Sequence, residues 1–271
     1  MSSAGNLRVR SWLALAALLC GLAGCVSAPS STATGDREPR TASDQSDPER
    51  RARVRLELAG LYLARGQNST ALDEIKRAIA AKPDLAESYS LRGLIYASMG
   101  EPGLAEESFQ RALQLAPRDG DAMHNFGWFL CQQKRYPDAD AQFSAALQQT
   151  QYREVVRTLL AQGVCQARAG RWVEAEQSLS RSYQLDPSNP VTAYNLSEVL
   201  ARRGEFDRAR FYVGRINAVP ELTTAQSLWL AARIERGLGN QQSVQDYGRK
   251  LLDRYPQSDE ASKFERGRFD E

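Results

Sequence analysis

The chain has 271 residues, and its 35 Lys and Arg are nearly balanced by 33 Asp and Glu, which gives a formal net charge of +2 at pH 7. This balance gives no support for nucleic-acid binding, which an excess of basic residues would indicate. The sequence contains no alternating strand pattern bounded by hairpin turns, which argues against a β-rich fold.

Residues 1–24 have the pattern of an export signal rather than of a folded segment. Two arginines precede an apolar run at 12–22, which is too short for a permanent membrane-spanning helix. The run ends in the sequence LAGC, whose last residue is Cys25, and this resembles the lipobox of bacterial lipoproteins. The resemblance implies cleavage before Cys25, a diacylglycerol on its thiol and an acylated amino group. The alternative is an ordinary secretory signal followed by a chance Cys.

Residues 25–47 are predicted to form the lipidated Cys and a flexible tether. Val26 follows the lipobox where an Asp would retain a lipoprotein in the inner membrane, so the resemblance implies the outer membrane. Three acyl chains on one residue would give a firm anchor, whereas a single chain binds only marginally. The tether is rich in Ser, Ala, Thr and Pro, which disfavours order, and its reach is about 25 Å.

A helical domain is predicted to begin at Asp47, with Asp47 as the cap and Pro48 in the first turn. Its pattern is clearest at residues 86–119, where two amphipathic helices are separated by Gly100. This stretch resembles a tetratricopeptide repeat of 34 residues. The small and aromatic positions of that motif are occupied by Gly93, Tyr96, Ala105, Phe109, Ala112 and Pro117.

The same frame recurs along residues 48–258, which predicts an all-α fold: a right-handed superhelical solenoid of six repeats. The alternative is six unrelated helical hairpins. Lys134 replaces the usual turn Gly, Gly248 stands where a bulky residue is expected, and residues 259–271 are interpreted as a charged C-terminal tail. The six repeats lie at about 52–85, 86–119, 120–153, 156–189, 190–223 and 225–258.

Two cysteines remain after removal of the signal and lipidation of Cys25. Cys131 and Cys165 lie one repeat apart in the first helices of repeats 3 and 4, which are neighbours in a solenoid. The periplasm is oxidising, so a disulfide is favoured over two buried free thiols.

The sequence predicts a binding protein rather than an enzyme. His124 is the only histidine, which excludes a Cys/His metal cluster and any triad that needs another His. No Gly-rich loop could hold a phosphate, and carboxylate pairs such as Glu106-Glu107 are expected to be solvated on a helix. No cofactor, metal, nucleic acid or small-molecule substrate is therefore expected.

A partner is expected to bind the concave face, which the first helices line. Aromatic and Arg side chains are favoured anchors there. Leu56, Leu94 and Leu160 are better explained by packing between repeats, Trp128 fits either role, and the arginines could also be ordinary solvated charges. The predicted groove residues are Arg53, Leu94, His124, Trp128, Arg157, Tyr194, Arg202, Trp229 and Arg233.

The lipobox, the tether and the six repeats together resemble the type IV pilus biogenesis and stability lipoproteins of the PilF/PilW pilotin family. The most telling stretches are LRGLIYASMGEPGLAEESFQRALQLAP and HNFGWFLCQQKRYPDADAQF. The resemblance implies an outer-membrane lipoprotein that faces the periplasm, binds the pilus secretin, supports its multimerisation and is needed for twitching motility. Two alternatives are a lipoprotein of outer-membrane protein assembly and an adaptor for cell-wall synthesis enzymes.

Overall fold

The computed structural model describes residues 47–269, and over that range it contains thirteen α-helices and no β-strand. The first twelve helices form six helical hairpins that stack into the predicted right-handed tetratricopeptide solenoid, which confirms the fold class. The helices are α1 (Pro48–Ala64), α2 (Asn68–Ala81), α3 (Ala86–Ser98), α4 (Pro102–Leu115), α5 (Gly120–Gln132), α6 (Tyr136–Leu147), α7 (Val155–Arg168), α8 (Trp172–Leu185), α9 (Pro190–Arg202), α10 (Phe206–Asn217), α11 (Ala225–Gly237), α12 (Gln241–Arg254) and α13 (Asp259–Glu265).

Close contact between the two helices of a hairpin explains the small residues of the motif. In repeat 2, a Cβ atom at Gly93 would lie 2.8 Å from the ring of Phe109, which is fully buried together with Ala105. Burying a Phe side chain contributes about 2–3 kcal/mol. The absence of a side chain at Gly93 is therefore what lets Phe109 of α4 pack against α3.

The turn inside each hairpin needs a left-handed backbone conformation. Gly100 adopts it with φ of 77°, as do the glycines at the equivalent turns of repeats 1, 4, 5 and 6. Lys134 takes the same conformation in repeat 3, with φ of 61°. A residue with a Cβ atom pays about 1 kcal/mol for that conformation, so the turn of repeat 3 is strained.

The start of the solenoid agrees with the sequence interpretation. The side chain of Asp47 accepts a hydrogen bond of 3.2 Å from the backbone N–H of Glu49, and Pro48 is the first residue of α1. Such a cap satisfies one backbone donor that has no partner inside the helix. The helices α5, α9 and α11 are capped in the same way by Asp119, Asn189 and Thr224.

The C-terminal segment is structured where the sequence analysis left a charged tail. Residues Asp259–Glu265 form α13, whose N-cap Ser258 accepts a hydrogen bond from the N–H of Ala261. The ring of Phe264 occupies the space above Gly248, where even a single methyl group would overlap it. The missing bulk at Gly248 is thus supplied by a residue from outside the repeat.

The predicted signal peptide (1–24) and the tether residues 25–46, including Cys25, lie outside the described residues. Between residues 47 and 269, no helix is long and apolar enough to cross a membrane.

Candidate partner-binding groove

The first helices of the hairpins, α1, α3, α5, α7, α9 and α11, carry the predicted groove residues. Leu56, Leu94 and Leu160 are half-buried and pack against three different clusters of the hydrophobic core. Their side chains therefore seal the contacts between repeats, as the packing alternative expects. Leu94 in particular is a core-lining residue rather than a free anchor.

His124 does not face a partner, which corrects its assignment to the groove. Its side chain is 7% exposed, and its Nδ1 lies 2.8 Å from the hydroxyl oxygen of Thr158. Burial, followed by the positive charge of Arg157, lowers the pKa of His124 to about 4. The hydroxyl groups of Tyr152 and Thr158 lie 2.6 Å apart, so the three side chains form a continuous buried polar chain.

Trp229 is also withdrawn from the groove. Its side chain is 5% exposed, and its ring centroid lies 4.8 Å from that of Phe269, which follows α13. The assignment to the groove assumed a solvated tail after residue 258, whereas the folded segment covers this position.

Trp128 and Arg168 form an accessible pair at the middle of the groove. Trp128 is half-buried, with part of its side chain on the core around Phe126 and Phe143. The guanidinium of the exposed Arg168 lies over its indole, 5.2 Å from the ring centroid. A stacked cation contributes about 0.5–1 kcal/mol at an exposed site and fixes both side chains for a partner.

The two arginines near the starts of the first helices are exposed but paired. Arg53 contacts Glu49 at 2.9 Å and reaches Glu87 of the next repeat at 4.0 Å. Arg157 contacts Asp121 of the preceding repeat at 3.0 Å. Exposed ion pairs contribute only about 0–1 kcal/mol, so a stronger acidic partner could replace these contacts.

A polar group occupies the groove in repeats 5 and 6. Tyr194, Glu198 and Arg233 are half-buried. Burial raises the pKa of Tyr194 to about 12, and the negative charge of Glu198 adds to the shift while Arg233 opposes it. Tyr194 therefore remains a neutral phenol that can donate a hydrogen bond at any physiological pH. Arg202, the remaining predicted residue, is exposed.

An apolar cleft of about 350 Å³ lies beside Tyr194 and was not predicted from the sequence. Val191 and Leu222 line it and are 56% and 37% exposed. One wall of the cleft is formed by the connection at residues 218–224, which is longer than in a regular repeat. This extra length is the sequence feature that could have indicated the cleft.

A disulfide joins Cys131 of α5 to Cys165 of α7, with their Cα atoms 5.8 Å apart. Both residues are 1% exposed, so the bridge lies inside the junction of repeats 3 and 4. Trp128 and Arg168 each lie three residues, about one helical turn, from one of these cysteines, so the bridge links the two helices that carry the pair.

Within the described part of the chain, no group of three or more His, Cys, Asp or Glu side chains is placed to hold a metal ion. His124 contacts the hydroxyl group of Thr158, which in turn contacts the hydroxyl group of Tyr152. The arrangement of anchors along a groove is that of a binding protein.

The tetratricopeptide-repeat family matches the chain at residues 86–119, 130–190 and 166–221. The solenoid, its groove and these matches define a tetratricopeptide-repeat protein. Several of the similar solved structures, such as the tetratricopeptide protein YrrB with TM-score 0.58 and 20% identity, share the fold alone.

Two proteins of type IV pilus biogenesis are similar to this chain in both sequence and structure. The type IV pilus assembly protein PilF of Pseudomonas aeruginosa strain PAO1 is 29% identical over 248 residues, which cover 92% of this chain and 95% of PilF. The crystal structure of PilW, a widely conserved type IV pilus biogenesis factor, matches with TM-score 0.73 and 28% identity over 78% of this chain and 97% of PilW. The structure of P. aeruginosa PilF matches with TM-score 0.69 and 25% identity, over 82% of this chain and all of the other. The chain is therefore a homologue of the type IV pilus proteins PilF and PilW.

Proposed function

We propose that this protein is an outer-membrane lipoprotein of type IV pilus biogenesis that acts as a pilotin for the pilus secretin. In this role it binds the secretin and supports its localisation and its assembly into a multimer. The observation that carries the proposal is the similarity to PilF, which is 29% identical over 92% of this chain and 95% of PilF.

The groove supplies the binding chemistry that such a role requires. Trp128 presents an aromatic surface at mid-groove, with Arg168 stacked on it. Trp and Arg are the residues that most often dominate binding energy in a protein interface, since they combine large contact area with hydrogen bonding. Trp128 is therefore the anchor that we assign to the secretin.

The lipid anchor completes the proposal. Cys25 would carry the acyl chains, and the following residues would connect the membrane to the start of α1 at Pro48. Replacement of Cys25 by Ala should abolish labelling with palmitate and release the protein from outer-membrane fractions. Continued labelling of the Cys25→Ala protein would contradict the anchor.

The decisive experiment is the amount of secretin multimer in a strain that lacks this gene. Loss of the multimer, with the secretin found as monomer or in the wrong membrane, supports the pilotin role, and twitching motility should fall with it. An unchanged multimer contradicts the role. A change restricted to outer-membrane barrel proteins or to cell-wall synthesis would instead support one of the two alternatives.

A matched pair of variants tests the groove itself. Trp128→Ala should weaken secretin binding about tenfold or more, because a desolvated aromatic anchor is lost. Trp172→Ala is the control, since Trp172 is 36% exposed and lies at the start of α8, a second helix outside the groove. Equal binding by both variants at normal abundance would remove Trp128 from the site.

A further inference from the structure

Three exposed arginines form a row along the C-terminal half of the solenoid. Arg168, Arg202 and Arg236 are spaced 34 residues apart and lie in the last turns of the first helices α7, α9 and α11. The first helices of the other half, α1, α3 and α5, carry no basic residue in their last turns. We call these three residues the arginine row.

The arginine row is not neutralised by the rest of the described chain. Among residues 47–269, no carboxylate lies within 4.0 Å of any of the three guanidinium groups. The arginines of the neighbouring second helix differ, because Arg208 pairs with Glu176 at 2.7 Å and Arg210 with Asp207 at 2.8 Å. The dipole of each first helix favours a positive charge near its C-terminal end. The dipole explains why a cation stands there, but it does not explain why none of the three arginines has a carboxylate partner.

Two members of the row are held in place by aromatic rings. Arg168 lies 5.2 Å from the centroid of Trp128, and Arg236 lies 4.7 Å from that of Phe269. Stacking engages the face of a guanidinium and leaves its N–H groups, which point outward in the plane, free to donate. A carboxylate is the acceptor that this planar group binds best, through two parallel hydrogen bonds.

The spacing of the row indicates what it binds. Neighbouring packed helices lie about 10 Å apart, and a segment in the extended polyproline II conformation advances about 3.1 Å per residue with three residues per turn, so every third side chain points to the same face and meets the next arginine. We propose that the arginine row binds an extended acidic segment of a partner protein, with Asp or Glu at every third position. A flat anionic membrane is disfavoured, because lipid headgroups hold no fixed spacing that would match the row.

Two acidic residues set the selectivity of the row. Glu198 lies one turn before Arg202 on α9, and Glu265 lines the same cleft as Arg236. Neither forms an ion pair with the row, but both would repel a carboxylate placed out of register. The proposal concerns the chemistry of the bound segment and holds whether or not that segment belongs to the secretin.

The test measures binding of the full chain, purified in mild detergent, to labelled peptides of Ser and Gly that carry three Glu residues. The peptide with Glu at every third position should bind about tenfold more tightly than one with Gln at those positions or with the three Glu residues adjacent. Its affinity should fall as salt is raised, because the contacts are ionic and exposed. Equal binding of the spaced and adjacent Glu peptides would overturn the proposal.

The matched variants separate the row from net charge. Replacing Arg168, Arg202 and Arg236 together by Gln should weaken the spaced Glu peptide about tenfold or more. The control replaces Arg118, Arg153 and Arg181, which are equally exposed and outside the row, and should stay within about twofold. If the triple variant fails to fold, the three single substitutions should each cost about threefold, and no loss in any of them would contradict the row.

Binding to vesicles of phosphatidylglycerol tests whether the arginine row binds an anionic membrane instead. Vesicle binding that depends on the row, without binding of the spaced Glu peptide, would replace the acidic segment by a lipid surface and overturn the proposal. The secretin multimer is not a readout in any of these measurements, so failure of the row leaves the proposed pilotin role untouched, and the reverse is also true.

Discussion

The junction of repeats 3 and 4 and the closing end at repeat 6 hold the stacked hairpins together by different means. The first uses the Cys131–Cys165 disulfide and the buried polar chain that begins at His124. The second uses the rings of Phe264 and Phe269, which pack over Gly248 and Trp229. The stability of the first junction should therefore depend on redox state and pH. The stability of the second should depend mainly on how closely its aromatic side chains pack.

The disulfide should have the largest effect. Reduction, or replacement of both Cys131 and Cys165 by Ala, should lower the free energy of unfolding by about 4 kcal/mol, because the bridge restricts a loop of this length in the unfolded chain. Urea denaturation with and without reductant measures it. The Ala variant should show no further response to reductant. Two thiols that alkylate freely in the untreated folded protein would contradict the bridge.

The buried histidine should make stability fall in acid. In the folded chain the pKa of His124 is about 4, below its ordinary value of 6.5, so the unfolded chain binds the proton more readily between these values. The free energy of unfolding should therefore have its full value above pH 7, and the proton uptake at His124 should lower it by about 3 kcal/mol as the pH falls to 4.

The matched variant for this pH dependence is His124→Gln, which keeps a hydrogen-bonding side chain but cannot titrate. Its free energy of unfolding should change less between pH 7 and pH 4 than that of the unmodified protein. A slope identical to the unmodified protein would show that His124 is not the responsible group.

At the other junction, Gly248→Ala should destabilise by about 1–3 kcal/mol, because the added methyl group displaces the ring of Phe264 from its seat. Gly214→Ala is the control, since a Cβ atom at this position of the preceding hairpin contacts nothing within 4 Å. It should be neutral or slightly stabilising. The Gly248→Ala effect should be the same with and without reductant, and a thermal melt of the two variants in parallel decides it.

The smallest expected effect is a gain. Lys134→Gly should stabilise repeat 3 by up to about 1 kcal/mol, because glycine adopts the left-handed turn without strain. Lys134→Ala keeps the strain and should give no gain. If both variants change the melting temperature equally, the turn is not strained.

The repeat frame was readable from the sequence because each hairpin carries its own small, aromatic and turn residues in fixed order. Six such units in register identify the first and second helix of each hairpin and show which hairpins are adjacent, without any long-range information. The predicted cysteine pair followed from the same frame, since residues one repeat apart on the first helices are adjacent.

The frame could not show what covers a helix face from outside the repeat. The repeat frame projects His124 onto the groove, yet Tyr152, in the connection after α6, packs at Gly120, and Thr158 of α7 hydrogen-bonds with the imidazole. Trp229 is covered by the segment after residue 258. This segment is too short and too charged for its sequence pattern to predict a helix. In both places a segment outside the regular repeats, which is the connection at Tyr152 or the residues after 258, packs where the frame predicts open groove.

The disulfide also has a mechanical consequence. In the proposed function, the protein is attached to a membrane at one end and to an assembling partner along its length, and it would be subject to pulling. The segment from Cys131 to Cys165, which are 34 positions apart in the sequence, cannot extend while the bridge is closed, and this removes about 120 Å from the length that the stretched chain can reach. In a single-molecule pulling experiment, reductant should lengthen the fully extended chain by about this amount, so the central repeats act as a covalent stop against extension.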